Sequence, residues 1–146
     1  MEIVIFDGLA DLPHFNPDLD GDRPPMAVAA LRQAIGNAQG LLISSPEYAR
    51  GVAGVMKNAL DWLVSSTEFP GKPVAVINAS QRASHADAAL RLTLNTMSAN
   101  LVEEASIMLP LLGRNLDAAG IAGDADLSSR LALALDDLGR AITGTG

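Results

Sequence analysis

Short β-branched runs alternate with longer segments of helical period along almost the whole chain, and this alternation constrains the fold more than any single residue does. Glu2-Ile3-Val4-Ile5-Phe6 reads as a strand that stops at the turn signal Asp7-Gly8. Gly40-Leu41-Leu42-Ile43-Ser44-Ser45 reads as a second strand, apolar on both faces, and Val74-Ala75-Val76-Ile77-Asn78 as a third. A fourth is expected near Leu101 to Ile107. Pro24-Pro25 opens a helix in which Met26, Ala29, Ala30 and Ile35 recur at helical intervals, and Gly36-Asn37 ends it. A second helix is expected from Gly51 or Val52 to Ser65, with Val55, Leu60 and Trp62-Leu63 as its apolar surface. A third runs from Ala83 to Ala99 on Ala86, Leu90, Leu94 and Met97. The last runs from Asp126 to Ile142, with Asp126 as its N-cap and Gly144-Thr145-Gly146 as a fraying tail. The connections are too long for hairpins, so the strands are expected to run parallel with helices on both faces, a doubly wound three-layer α/β/α sheet. Ligands in such sheets gather beyond the carboxyl ends of the strands, where the loops at 7–20, 45–51 and 78–83 lie.

A chain of 146 residues with 49% hydrophobic content can build one such domain over residues 1–146 and is too short for two. With no cysteine, disulfides and thiolate zinc sites are excluded, and a reducing cytoplasm is the expected compartment. No apolar run reaches the roughly 18 residues of a membrane span. The net charge of −7, with ten scattered basic residues, argues against nucleic acid as a partner. His14 and His85 have no companion ligand at metal spacing, and no Gly-x-Ser-x-Gly elbow follows a strand. A phosphoacceptor receiver needs an acidic pair after its first strand, where Asp7 stands alone.

The loop leaving the second strand suits a flat ligand. Pro46 fixes its own backbone and biases Ser45 toward an extended conformation, which frees the following amides to face a ring edge. Tyr48 offers a ring for stacking and a hydroxyl that can stay wet. An ordinary strand-to-helix turn places Pro and Gly in the same way, and the residues alone leave both readings open. The stretch from Ser45 to Trp62 resembles the flavin signature of the NADPH-dependent FMN reductase family. That signature reads Pro-Glu-Tyr-Asn, a short Gly-containing link, then Pro-Gly-x-Leu-Lys-Asn-Ala-Ile-Asp-Trp. Pro46, Glu47, Tyr48, Gly54, Lys57, Asn58, Ala59, Asp61 and Trp62 match it, while Ala49 replaces the usual Asn and Ala53 the usual Pro. Leu12-Pro13-His14-Phe15-Asn16-Pro17-Asp18 is similar to the family's Leu-Pro-x-Phe-Asn-Pro-Asp segment.

The resemblance implies a flavodoxin-like sheet, bound FMN, NADPH as hydride donor, and a homodimer or homotetramer. Electrons would pass to free flavin, a quinone or another small-molecule acceptor. It implies that Pro46, Glu47, Tyr48 and Ala49 line the ring edge. The segment Asn78 to His85, similar to the family's second flavin loop, would bring Ser80, Gln81 and Arg82 to the other side. No acid or base is named, because the flavin performs the chemistry. Glu47 and Lys57 are close enough in sequence to pair and hold the loop, Ser80 can cap the following helix, and Trp62 is expected to pack.

The similarity starts at the family's second strand. A start site placed too late, or a truncated gene product, is therefore expected, with the family's first strand, its Gly-Ser-x-Arg-x-x-Ser-x-Asn phosphate loop and its first helix lying before Met1. A sheet without that strand is expected to show a gap or to re-pair. The alternative is a flavin-poor, flavodoxin-like remnant serving as an assembly or interaction module.

Overall fold

A computed structural model describes residues 1–144. Three parallel strands form its sheet in the order β1, β4, β5, where β1 is Leu41–Ser44, β4 is Pro73–Ile77 and β5 is Asn100–Leu101. Leu41 pairs with Val74 and Ser44 with Ile77, while Pro73 and Val74 pair with Asn100 and Leu101. Glu47–Tyr48 (β2) and Gly51–Val52 (β3) form a separate antiparallel hairpin. The helices are α1 (Met26–Asn37), α2 (Gly54–Leu63), α3 (Ser84–Thr96), α4 (Ala118–Gly123) and α5 (Ala125–Thr143). No helix among the described residues is long and apolar enough to cross a membrane.

Alternation along β4 sets the layers. Successive strand side chains point to opposite faces. Val74 and Val76 join Val28 and Leu31 of α1, Leu60, Trp62 and Leu63 of α2, and Leu90 and Leu94 of α3 in the largest buried cluster. Ala75 packs instead with Val102, Ala105 and Leu138 of α5, and Ile77 with Leu109 and Leu127. Helices therefore cover both faces, giving the three-layer flavodoxin-like arrangement.

Trp62 is fully buried, and its indole Nε1–H donates to the Pro13 carbonyl at 2.8 Å. Asn58 Nδ2 donates to that same carbonyl at 3.0 Å, while Asn58 Oδ1 accepts the Phe15 N–H at 2.8 Å. The 12–18 segment and α2 are thus one unit. At the far end of α1, Lys72 Nζ donates to the carbonyls of Ile35 and Ala38 at 2.8 and 2.6 Å, a cation placed where the helix dipole favours it.

Several elements differ from their sequence expectation. Residues 2–6 form no strand: Ile3, Val4 and Ile5 are 57%, 82% and 85% exposed and extend without a ladder partner. A β-branched run becomes a strand only where an edge accepts its backbone groups, and none of the described strands lies beside this one. The sheet runs β1, β4, β5, and β1 is an open edge whose Leu42 is exposed rather than covered on both faces. Helix α1 buries Val28 and Leu31 and exposes Met26, Ala29 and Ala30, so its inward stripe is rotated from the expected one. Helix α2 starts at Gly54, because Gly51 and Val52 pair with β2, and its Val55 is exposed. The fourth strand is only Asn100–Leu101, continued by one bridge between Asn78 and Met108. Asp124, not Asp126, caps α5 by accepting the Leu127 N–H at 3.0 Å. Gly144 closes that helix in the left-handed region at φ 68°, while Thr145 and Gly146 of the expected fraying tail lie outside the described residues.

Candidate active site

Two loops leave the carboxyl ends of β1 and β4, and side-chain contacts fix both against the start of α3. After Ser45-Pro46 the chain makes the β2–β3 hairpin, with Glu47 opposite Val52 and Tyr48 opposite Gly51. Its two central residues, Ala49 and Arg50, have φ of 48° and 60°, the left-handed pair that a two-residue hairpin turn requires. Neither is Gly or Asn, so both pay a steric cost that those residues avoid. Glu47 Oε2 accepts the Ala86 N–H at 2.8 Å and docks the hairpin on α3. This contact also supplies the helix with an anionic acceptor in its first turn, where the N-cap residue Ala83 offers none.

The expected Glu47–Lys57 pair does not form. Lys57 Nζ meets Asp61 at 2.6 Å one turn along α2, because residues four apart on a helix share a face.

Asn78 organises the second loop. Its Oδ1 accepts the Ser80 N–H at 3.0 Å, its Nδ2 donates to the Ala83 carbonyl at 3.2 Å, and its backbone bonds to Ile107 and Leu109 on both sides. Ser80 Oγ accepts the Arg82 N–H at 3.2 Å, which is a local turn and not the helix cap that the sequence suggests. The Ala79 N–H makes no hydrogen bond within the described residues.

Between the loops lies an open groove of about 480 Å³, lined by Ser44, Ser45, Pro46, Glu47, Asn78, Ala79, Ser80, Arg82, Ala83 and Leu112. Four of the seven residues singled out from sequence, Pro46, Glu47, Ser80 and Arg82, meet along its walls. Tyr48, Ala49 and Gln81 do not line it. Tyr48 is 68% exposed at the hairpin, beside Ala49 at the turn, and Gln81 faces solvent. Sequence reasoning passes over Asn78 as a determinant and misses Leu112 altogether. The Asn-x-Ser spacing of a side-chain-closed turn is a usable signal for Asn78. Leu112 has none, since its loop reaches the groove through long-range contacts, the Asn78–Met108 bridge and the packing of Leu109 against Ile77 and Leu127.

Among the described residues, Arg82 is the only cation on the groove wall, and no carboxylate is within salt-bridge distance of it. The groove otherwise carries neutral walls, with Glu47 turned toward α3. The carboxyls with displaced pKa lie elsewhere. Asp20 is lowered by bonds from Ser65 and Arg32, Glu68 by one from Ser66, and Asp124 by the Leu127 amide and Arg114.

Comparison with known proteins agrees with this geometry. The profile of the NADPH-dependent FMN reductase family matches residues 1–111. A 2-hydroxy-1,4-benzoquinone reductase from a Burkholderia species is 44% identical over 78 residues, covering 51% of this chain and 42% of that protein. An NAD(P)H-dependent FMN reductase of Pseudomonas aeruginosa is 34% identical over 125 residues, covering 82% of this chain and 67% of its own. The aligned segments thus span about two fifths to two thirds of these relatives' length. Among solved structures, the flavoenzyme NAD(P)H:(acceptor) oxidoreductase FerB of Paracoccus denitrificans superposes with a TM-score of 0.77 at 27% identity, over 92% of this chain and 78% of that one. The shared sheet, the two loops beyond its carboxyl edge and a profile match over most of the chain lead to one conclusion: this chain belongs to the NADPH-dependent FMN reductase family.

Proposed function

We propose that this chain binds the isoalloxazine ring of FMN in the groove between residues 44–47 and 78–83. The protein then acts as an NAD(P)H-dependent oxidoreductase toward a small acceptor such as a quinone or free flavin. The observation that carries this reading is the convergence of both loops on one groove at the carboxyl end of the sheet, of a volume ordinary for cofactor sites. The residues fit the ring. A flat heterocycle needs apolar walls and edge donors. Pro46, Ala79, Ala83 and Leu112 supply the first, and the unbonded Ala79 N–H and the Arg82 guanidinium supply the second.

When bound, the flavin supplies hydride and electron transfer. The chain holds it in place. Pro46 and Glu47, anchored through Ala86, border one edge, and the Asn78-closed loop borders the other. Arg82 is free to meet negative charge at that edge. One side of the groove stays open, so donor and acceptor can occupy it in turn. The reading includes the cytoplasm as its place of action and a homodimer or homotetramer as its assembly.

Titration of the purified chain with FMN, followed by flavin fluorescence, tests the proposal. Quenching that saturates, with NAD(P)H oxidation once benzoquinone is added, is the expected result, and Arg82→Ala weakens the binding severalfold. A protein that stays colourless after incubation with FMN refutes it and favours the non-catalytic alternative.

A further inference from the structure

Among the described residues, two buried side-chain oxygens have no hydrogen-bond partner in the protein: Ser45 Oγ and Asp87 Oδ1. They come from elements 42 positions apart in sequence. Ser45 and Asp87 both line one small cavity behind the groove, closed by Val76, Ile77, Asn78, Ala83, Ala86 and Leu90. The space open to the centre of a water-sized sphere is about 10 Å³, close to the least that holds one water molecule. A buried hydroxyl or carboxylate oxygen left unpaired costs free energy, and two of them in one water-sized space share a single remedy.

We propose that this cavity is a resident-water site, in which one water donates to Asp87 Oδ1 and exchanges a second hydrogen bond with the Ser45 hydroxyl. The carboxylate can only accept, so the water must donate to it. The serine can serve as donor or acceptor toward the water's remaining positions. The other Asp87 oxygen is already held, since Oδ2 accepts from Arg91 Nε at 2.8 Å, and Arg91 continues to Glu103 at 2.6 Å. The water therefore completes a fixed chain that runs Glu103, Arg91, Asp87, water, Ser45. Ser45 borders the water on one side and the ligand groove on the other, immediately before Pro46. The loop's departure from β1 is in this way tied to α3 independently of the Glu47–Ala86 contact.

A double-mutant cycle in urea, run without any ligand, tests the site apart from the flavin reading. Ser45→Ala should raise the unfolding equilibrium constant about fivefold, the worth of one hydrogen bond. In an Asp87→Ala background the same change should have no effect, while an Asp87→Asn background, which keeps an acceptor oxygen, should preserve it. If Ser45→Ala is neutral or stabilising, the hydroxyl was unpaired and the proposal fails. An equal loss in all three backgrounds also overturns it. A crystal structure of the unliganded protein offers a second measurement. One water within hydrogen-bond distance of both oxygens supports the site, whereas a direct Ser45–Asp87 bond or a cavity without density refutes it.

Discussion

Replacing Glu47 tests whether the ring-edge hairpin is held by α3 or by its neighbour in sequence. The carboxylate accepts one backbone N–H of α3 at 2.8 Å, in a first turn whose N-cap, Ala83, has no acceptor side chain. A hydrogen bond to a charged group contributes about 1.5–3 kcal/mol, and an anion at a helix N-terminus adds about 0.3–1 kcal/mol. Side-chain ordering offsets part of this, so Glu47→Ala should cost about 2 kcal/mol. With a urea slope of about 2 kcal/mol per molar, the unfolding midpoint should fall by about 1 M. Glu47→Gln keeps an acceptor without the charge and should lose roughly half as much. Lys57→Met is the control. Its partner is the half-buried Asp61 one turn along α2, and helix pairs of this spacing contribute about 0.3–0.5 kcal/mol. Urea unfolding of the three variants, followed by far-UV circular dichroism, separates the two schemes. A Glu47→Ala midpoint indistinguishable from wild type, or a Lys57→Met loss as large as that of Glu47→Ala, refutes the reasoning.

Ala49 sits at φ 48° in the hairpin turn, a conformation Asn tolerates better than Ala, so Ala49→Asn should stabilise by about 0.5–1 kcal/mol. Thermal unfolding should show a Tm higher by about 2–4 °C, and an unchanged or lower Tm counts against the strain. Asp20 is held below its ordinary 3.8 by Ser65 and Arg32. A folded pKa below the unfolded one gives stability that is present above the unfolded value and lost as pH falls through the folded one. The wild-type urea midpoint should therefore drop between about pH 5 and pH 2, and Asp20→Asn should drop less. Parallel curves would show that the bonds from Ser65 and Arg32 contribute nothing to the pH dependence.

Much of the architecture was legible because it is local. The helical period of Ala86, Leu90 and Leu94 reports α3, and the β-branched run of Val74 to Ile77 reports β4, since each pattern repeats several times within one element. Where residues are small the signal weakens: α1 is rich in alanine, and its buried face, Val28 and Leu31, cannot be told from Met26, Ala29 and Ala30 by period alone. The two-residue strands of the hairpin are too short to show any period, so they merge into the start of a helix. Composition cannot say whether Ile3-Val4-Ile5 has a partner strand, because pairing is a property of two segments.

By itself, then, the sequence determined the helices α1, α2, α3 and α5, the strands β1 and β4, their order and parallel pairing, and the two loops beyond the carboxyl edge. These follow from side-chain size, branching and period, which act within a few residues. Only the tertiary structure decided the partners: Glu47 on Ala86 rather than Lys57, Pro13 under both Asn58 and Trp62, and Leu112 on the wall of the groove. Such contacts join residues tens of positions apart and form only once packing brings their elements together. Their selection rests on the cost of leaving a buried donor or acceptor unpaired, which no local pattern records.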